Sequence, residues 1–272
     1  IFVMTLDRFF QLLEIELREN PKIAQYHRFT NNPYLYNFRK SYLIQRYQFL
    51  IDAIKKPNSS ILDLGCGYGT TAILLSLLGH KVHGITLEYY FDEIEPRLKY
   101  WNQFGDCSSL TLEYGDIFEY HSKAEMFDYV VAIDTLHHIE PINQGLHILY
   151  DLLHKGGKII VSEENGNNLI ANIKHIKERG FKRISCYYDE RLQKNITFGN
   201  ENTRSLKGWL REFGVTPFKF ESETLDYIRF YFPKKHNQKT LSEIIQKEKK
   251  LWKRSCLLRE FFFFGINFTL RK

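Results

Sequence analysis

The sequence predicts an α/β protein with a doubly wound, mainly parallel seven-stranded sheet and helices on both faces. Three observations predict it. From residue 56 onward short apolar segments alternate with helical ones, the rhythm of a parallel sheet with right-handed crossovers. Residues 127–133, Phe-Asp-Tyr-Val-Val-Ala-Ile, are nearly all apolar, as a strand buried on both faces should be. A glycine-rich turn joins the first strand to the helix after it, so ligands are expected beyond the carboxyl ends of the strands.

Taken in order, residues 5–55 read as helical, with apolar positions at Leu6, Phe9, Phe10 and Leu13 and again from Leu43 to Ile54. Thr30-Asn31-Asn32-Pro33 divides this N-terminal extension (1–55) into two segments. The core is expected over 56–272. Its strands read as 60–64, 81–87, 110–114, 127–133 and 158–162. Helices read as 70–78 before Gly79, 96–104 before Gly105, and 141–153 before Gly156-Gly157. Residues 165–204 show little periodicity and read as a loop-and-helix cap; 234–260 is a second cap segment. A helix at 205–213, an extended stretch at 218–232, a basic amphipathic helix at 240–258 and a last strand at 261–270 complete the chain.

The glycine turn carries the chemistry. Ile61-Leu62-Asp63-Leu64-Gly65-Cys66-Gly67-Tyr68-Gly69 is G-x-G-x-G, with a carboxylate two residues before the first glycine. Dinucleotide sites use G-x-G-x-x-G and place a pyrophosphate on the helix N-terminus. Asp63 would repel a pyrophosphate and suits a ligand with an ammonium and a sulfonium charge. An NAD-dependent dehydrogenase is disfavoured on both counts.

This pattern resembles motif I of the class I (Rossmann-like) S-adenosylmethionine-dependent methyltransferases, of the small-molecule type. Three further stretches match that family in order and spacing: Gly115-Asp116-Ile117, the run Phe127 to Ile139, and Leu149 to Val161 with its double glycine. The match spans roughly 40–165. It implies that S-adenosylmethionine binds at Asp63, Gly65, Cys66, Gly67 and Gly69, that Asp116 with Ile117 receives the adenine, and that Asp134 and Leu136 lie beside the methionine part. It also implies that Tyr36 and Arg39 cover the cofactor, with Arg39 toward its carboxylate. The family ends its second strand with a ribose-binding acid, whereas Thr86-Leu87-Glu88 stands here; Glu88, 23 residues after Gly65, takes that role.

Methyl transfer from a sulfonium needs alignment and exclusion of water, and a base when the acceptor is a hydroxyl or a protonated amine. His137 and His138, just past the fourth strand, are the catalytic candidates. Glu163, Glu164 and Asn165 after the fifth strand, with Tyr187, are expected to line the acceptor pocket. The acceptor is expected to be a small molecule, a sugar or a lipid-linked compound. A cyclopropane-fatty-acid-synthase-like enzyme (from Gly84-Ile85-Thr86-Leu87) and a non-catalytic binding subunit are the alternatives.

Composition narrows the setting. Cys66, Cys107, Cys186 and Cys256 form no CxxC pair, so neither a disulfide framework nor a metal site is expected, and a cytoplasmic, bacterial-type protein fits. Ile1-Phe2-Val3-Met4 is too short an apolar run for a signal peptide, and no stretch of transmembrane length occurs. Residues 234–254 carry eight Lys/Arg against Glu243 and Glu248, which equals the whole net charge of +6. An extended nucleic-acid surface is therefore not expected. The basic helix reads as a solvated face, a guide for anionic acceptors, or a peripheral membrane contact.

Overall fold

The computed structural model describes residues 4–28, 32–88, 91–120 and 126–272. Three helices lead the chain: α1 (Leu6–Glu19), α2 (Pro21–His27) and α3 (Pro33–Ala53). Thr5 caps α1, and Asn20 and Asn32 cap α2 and α3, each followed by proline at the first helical position. The 5–55 run thus breaks at Asn20-Pro21 as well as at Asn32-Pro33. Of the residues read as that second break, 30 and 31 lie outside the described residues, as do residues 1–3.

The alternating part follows: β1 (Ser60–Leu64), α4 (Thr70–Leu77), β2 (Lys81–Thr86), α5 (Ile94–Trp101), β3 (Leu110–Tyr114), β4 (Phe127–Ile133), α6 (Ile142–Leu152) and β5 (Leu153–Glu164). After it come α7 (Leu169–Arg179), the hairpin β6 (Ile184–Asp189) and β7 (Lys194–Gly199), α8 (Leu206–Phe213) and β8 (Lys219–Ile228). Last are α9 (Pro233–His236), α10 (Leu241–Arg254), α11 (Cys256–Phe262) and β9 (Gly265–Arg271).

Seven strands form one sheet in the order β3-β2-β1-β4-β5-β9-β8. The pairs from β3 to β5 are parallel, and β9 runs antiparallel between β5 and β8. The order reverses at β1/β4, which opens a crevice beyond their carboxyl ends. Side chains alternate across the sheet. Tyr129, Val131, Ile61 and Ile160 pack with α1, α3, α4 and α5, while Val130, Ala132, Leu62 and Ile159 pack with α6 and α8. The N-terminal helices share the first of these cores.

Three expectations need correction. Residues 165–204 are not loop and helix alone, because a two-stranded antiparallel sheet, β6–β7, occupies 184–199. Most β6 side chains are exposed, so no apolar alternation marks the strand. The last strand starts at Gly265; Phe261 and Phe262 still belong to α11. The basic helix proves to be α10, separated from α11 by Ser255. Its Ile244 is buried, Leu251 and Trp252 pack on the second core, and Glu248 accepts from the Phe230 N–H at 2.7 Å. Its apolar face is thus spent on the protein itself. No helix among the described residues is long and apolar enough to cross a membrane.

Candidate active site

A cavity of about 1200 Å³ opens at the carboxyl ends of β1, β2, β4 and β5, roofed by α2, α3 and the β6–β7 hairpin. Ligand pockets usually measure on the order of 300–1,000 Å³, so there is room for a cofactor and an acceptor together.

One half is built on the glycine turn. Gly65, Gly67 and Gly69 all take left-handed backbone angles (φ +69°, +55° and +75°). A Cβ on Gly65 would also stand 2.4 Å from the Thr135 side chain. The Gly65 and Cys66 N–H groups donate to the Ile85 carbonyl at 2.8 and 3.1 Å, tying the turn to β2. Arg97 steadies its far side: buried, it donates to the Tyr68 carbonyl, to Thr70 Oγ1 at 2.8 Å and to both Glu16 oxygens at 2.7 Å. The glycine turn is thereby tied to α1.

Asp63 lines this half yet is only 2% exposed, and its Oδ2 has no hydrogen-bond partner among the described residues. Burial pushes its carboxyl up to about 8, against the pull of a backbone N–H. An orphaned buried carboxylate at the cavity wall is what an ammonium-bearing cofactor would satisfy. Thr86, Leu87 and Glu88 line the next edge, with Thr86 Oγ1 accepting from the Glu88 N–H at 3.2 Å. Asp116 and Ile117 line the floor; Asp116 pairs with Lys194 of β7 at 2.8 Å. Arg191 in the hairpin turn stacks 4.4 Å over the Tyr114 ring. The hairpin therefore closes over this edge.

The other half gathers residues remote in sequence. Asp134 has φ +49° and receives both terminal nitrogens of Arg46, which is buried in α3 with its guanidinium 3.7 Å over the Tyr42 ring. Glu163, fully buried, accepts from the Thr135 and Leu136 N–H groups at 3.0 and 2.6 Å and bonds His137 Nδ1. Burial alone would lower the His137 pKa, but Glu163, with Asp134 and Glu201, carries it up to about 9. His137 Nε2 lies 3.5 Å from Glu201 Oε2. His138 Nδ1 meets the Gly199 carbonyl at 2.8 Å, and burial, then the neighbouring His137, lowers its pKa. A Cβ on Gly199 would stand 1.9 Å from the His137 carbonyl oxygen, so the hairpin rests directly on the loop after β4.

Several expected site residues lie elsewhere. Glu163 and Asn165 do not line the cavity: Glu163 shapes the β4 loop, and Asn165 donates to the Glu260 and Phe263 carbonyls at 3.0 Å. Leu136 is in the second core. Gly69 caps α4 against Ile94, and Tyr36 receives the Lys40 ammonium at 3.3 Å, both off the cavity lining. Arg39 lines the rim and donates to the Arg28 carbonyl at 2.5 Å. Gly65, Cys66, Gly67, Thr86, Leu87, Glu88, Asp116, Ile117, Asp134, His137, His138, Glu164 and Tyr187 all reach the cavity. Sequence reasoning missed Arg46, Glu201 and Arg229. Arg46 stands between Leu43-Ile44 and Tyr47 in α3, and a charge set among apolar helix positions was the available signal.

The sheet order, the glycine turn and the orphaned carboxylate define a class I methyltransferase architecture. The methyltransferase domain family matches residues 35–217, two thirds of the chain. The chain belongs to that family, and its fold is the class I fold of solved S-adenosylmethionine-dependent methyltransferases. It is similar to a ribosomal protein L11 methyltransferase of Staphylococcus saprophyticus, 30% identical over 142 residues, covering 51% of this chain and 43% of the relative. It is likewise similar to a mitochondrial ubiquinone biosynthesis O-methyltransferase of Rattus norvegicus, 30% identical over 124 residues, covering 42% and 34%. The chain thus spans less than half the length of these curated relatives. A phosphoethanolamine N-methyltransferase of Haemonchus contortus, solved with S-adenosyl-L-methionine, superposes with a TM-score of 0.55 at 18% identity over 84% of this chain and 51% of that one. That likeness is one of fold.

Proposed function

We propose that this protein moves a methyl group from S-adenosylmethionine to a hydroxyl of a small-molecule or glycan-type acceptor. The observation that carries the reading is one cavity with two differently equipped ends. At one end the unpartnered Asp63 oxygen and the glycine turn suit a cationic nucleoside. At the other, two imidazoles and the carboxylates Glu164 and Glu201 suit a polar acceptor that must lose a proton.

The cofactor supplies a methyl group on a sulfonium, transferred by in-line displacement to the attacking oxygen. The rest falls to the chain. Asp63, Glu88 and Asp116 hold the nucleoside half, while Arg46 holds Asp134 between the two halves. Tyr187 and Phe198, 5.5 Å apart edge to face, wall the cavity beneath the hairpin and exclude water. The acceptor's proton passes to the carboxylate side of the acceptor end, where Glu164 lines the cavity. The rat relative's O-methyltransferase name agrees with a hydroxyl acceptor.

Calorimetry with S-adenosylmethionine, then a panel of sugars, polyols and phenols scored by release of S-adenosylhomocysteine, tests the reading. Binding followed by hydroxyl-dependent release is expected. Absence of cofactor binding, or transfer confined to fatty acyl chains, overturns it.

A further inference from the structure

We propose that His137, His138 and Glu201 bind one divalent first-row transition cation at the acceptor end of the cavity. Their ligand atoms lie within 4.8 Å of one another. Both imidazoles are pre-set for coordination. The Nδ1 of His137 faces the Glu163 carboxylate and that of His138 the Gly199 carbonyl, neither of which can donate. In the neutral ring each Nδ1 therefore carries the hydrogen and each Nε2 a lone pair; His138 is held neutral, while His137, held protonated without an ion, releases its Nε2 proton as the cation binds. A carboxylate behind a histidine in this way is the usual outer support of a metal ligand.

The distance between His137 Nε2 and Glu201 Oε2 is the second observation. At 3.5 Å it is too long for a hydrogen bond of ordinary strength. Two ligands on one tetrahedral ion, each bonded at about 2.0–2.1 Å, stand roughly 3.3–3.4 Å apart. The carboxylate is aimed with some effort. Glu201 has φ +52°, a conformation that costs a non-glycine residue energy and that the surroundings must hold. Arg179 holds its other oxygen at 2.7 Å and so turns Oε2 toward the histidines.

Three protein ligands with a side open to the cavity match a reactive site better than a closed structural one. Glu164 and His175, which form a second such group with Glu201, border it. Two imidazoles and a carboxylate favour zinc, manganese or iron over magnesium or calcium. This inference rests on the proposed methyl transfer only for its purpose, since it specifies what the acceptor end holds.

Binding is read without cofactor or acceptor. Chelator-stripped protein is titrated with Co²⁺, followed by visible absorption, and with Zn²⁺ by calorimetry. One ion per chain is expected. His138→Ala or Glu201→Gln should weaken binding at least about 100-fold, and the positioning variant Glu163→Gln roughly 10- to 100-fold. S-adenosylmethionine affinity, measured on the same variants, reports that they remain folded. Wild type without a Co²⁺ spectrum, or undiminished binding in the His138→Ala/Glu201→Gln double variant, overturns the site and leaves a hydrogen-bonded network. A protein that binds the ion yet transfers no methyl group would sink the proposed reaction and uphold this site.

Discussion

The two halves of the cavity are assembled in different ways. The cofactor half draws on consecutive strand ends between Asp63 and Ile117, each carried by a short local motif. The acceptor half draws Arg46 from α3, His137 and His138 from the β4 loop, Glu164 from the end of β5, Glu201 from beyond the hairpin and Arg229 from beyond β8. The first is a strand-turn-helix device that any chain with the right few residues could fold. The second exists only once five distant segments have met. On the proposed reading, binding a common cofactor and choosing an acceptor are thus separated in sequence as well as in space.

The largest expected effect shows that even the local half leans on a distant partner. Arg97→Met leaves Glu16 buried and uncompensated beneath the glycine turn. Breaking such a pair costs about 3–5 kcal/mol. At about 2–4 °C per kcal/mol for a chain near this size, the melting temperature should fall by roughly 10 °C. A thermal melt unchanged within a degree or two would mean that α1 does not support the turn.

Next, one added methyl group in each half should separate their functions. Gly65→Ala strains a left-handed residue and meets Thr135, so cofactor affinity should drop on the order of 10- to 100-fold, from about 1–3 kcal/mol of strain. Gly199→Ala pushes the hairpin off His137 and should lower kcat more than it weakens cofactor binding. Equal losses in both measurements for both variants would erase the distinction.

A pH effect follows from Asp63. Its carboxyl titrates near 8 in the folded protein against a usual 3.8. Between those values the native state keeps a proton that the unfolded chain releases, so stability without cofactor should fall as pH rises from about 4 to about 8. A cationic cofactor favours the ionised carboxylate, so its affinity should rise over the upper part of that range and level off above about 8. Asp63→Asn should flatten both profiles. Parallel profiles for the variant and wild type, by melting and calorimetry, would show that another group is responsible.

The smallest effect probes the seam. Arg191→Ala removes the guanidinium from the Tyr114 face, worth about 0.5–1 kcal/mol at an exposed site. Cofactor affinity should weaken about two- to fivefold, and acceptor KM should not move. A shift in the acceptor KM alone would assign the hairpin to the other half.

Read from the residues alone, the strands at 60–64 and 127–133 were legible to the residue, because buried parallel strands are largely apolar runs between turn signals, and 110–114, at the sheet edge, was legible from its alternation of exposed Thr111 and Glu113 with Leu110, Leu112 and Tyr114. The glycine turn was legible for a similar reason: left-handed angles require glycine within five residues of chain. The hairpin was not, since its exposed strands carry no apolar alternation. Glu163 and Asn165 do lie at the strand end the sequence predicts, but whether a side chain faces the cavity or the loop behind it is set by neighbours 26 to 98 residues away.

The sequence by itself therefore determined the sheet, its crossovers and the cofactor turn, all of which follow from periodicity and backbone angles over a few residues. Only the tertiary structure decided that Arg46 meets Asp134, that Glu201 faces His137, and that a hairpin roofs them. Such contacts depend on how whole elements pack against one another, and no local pattern of residues records that.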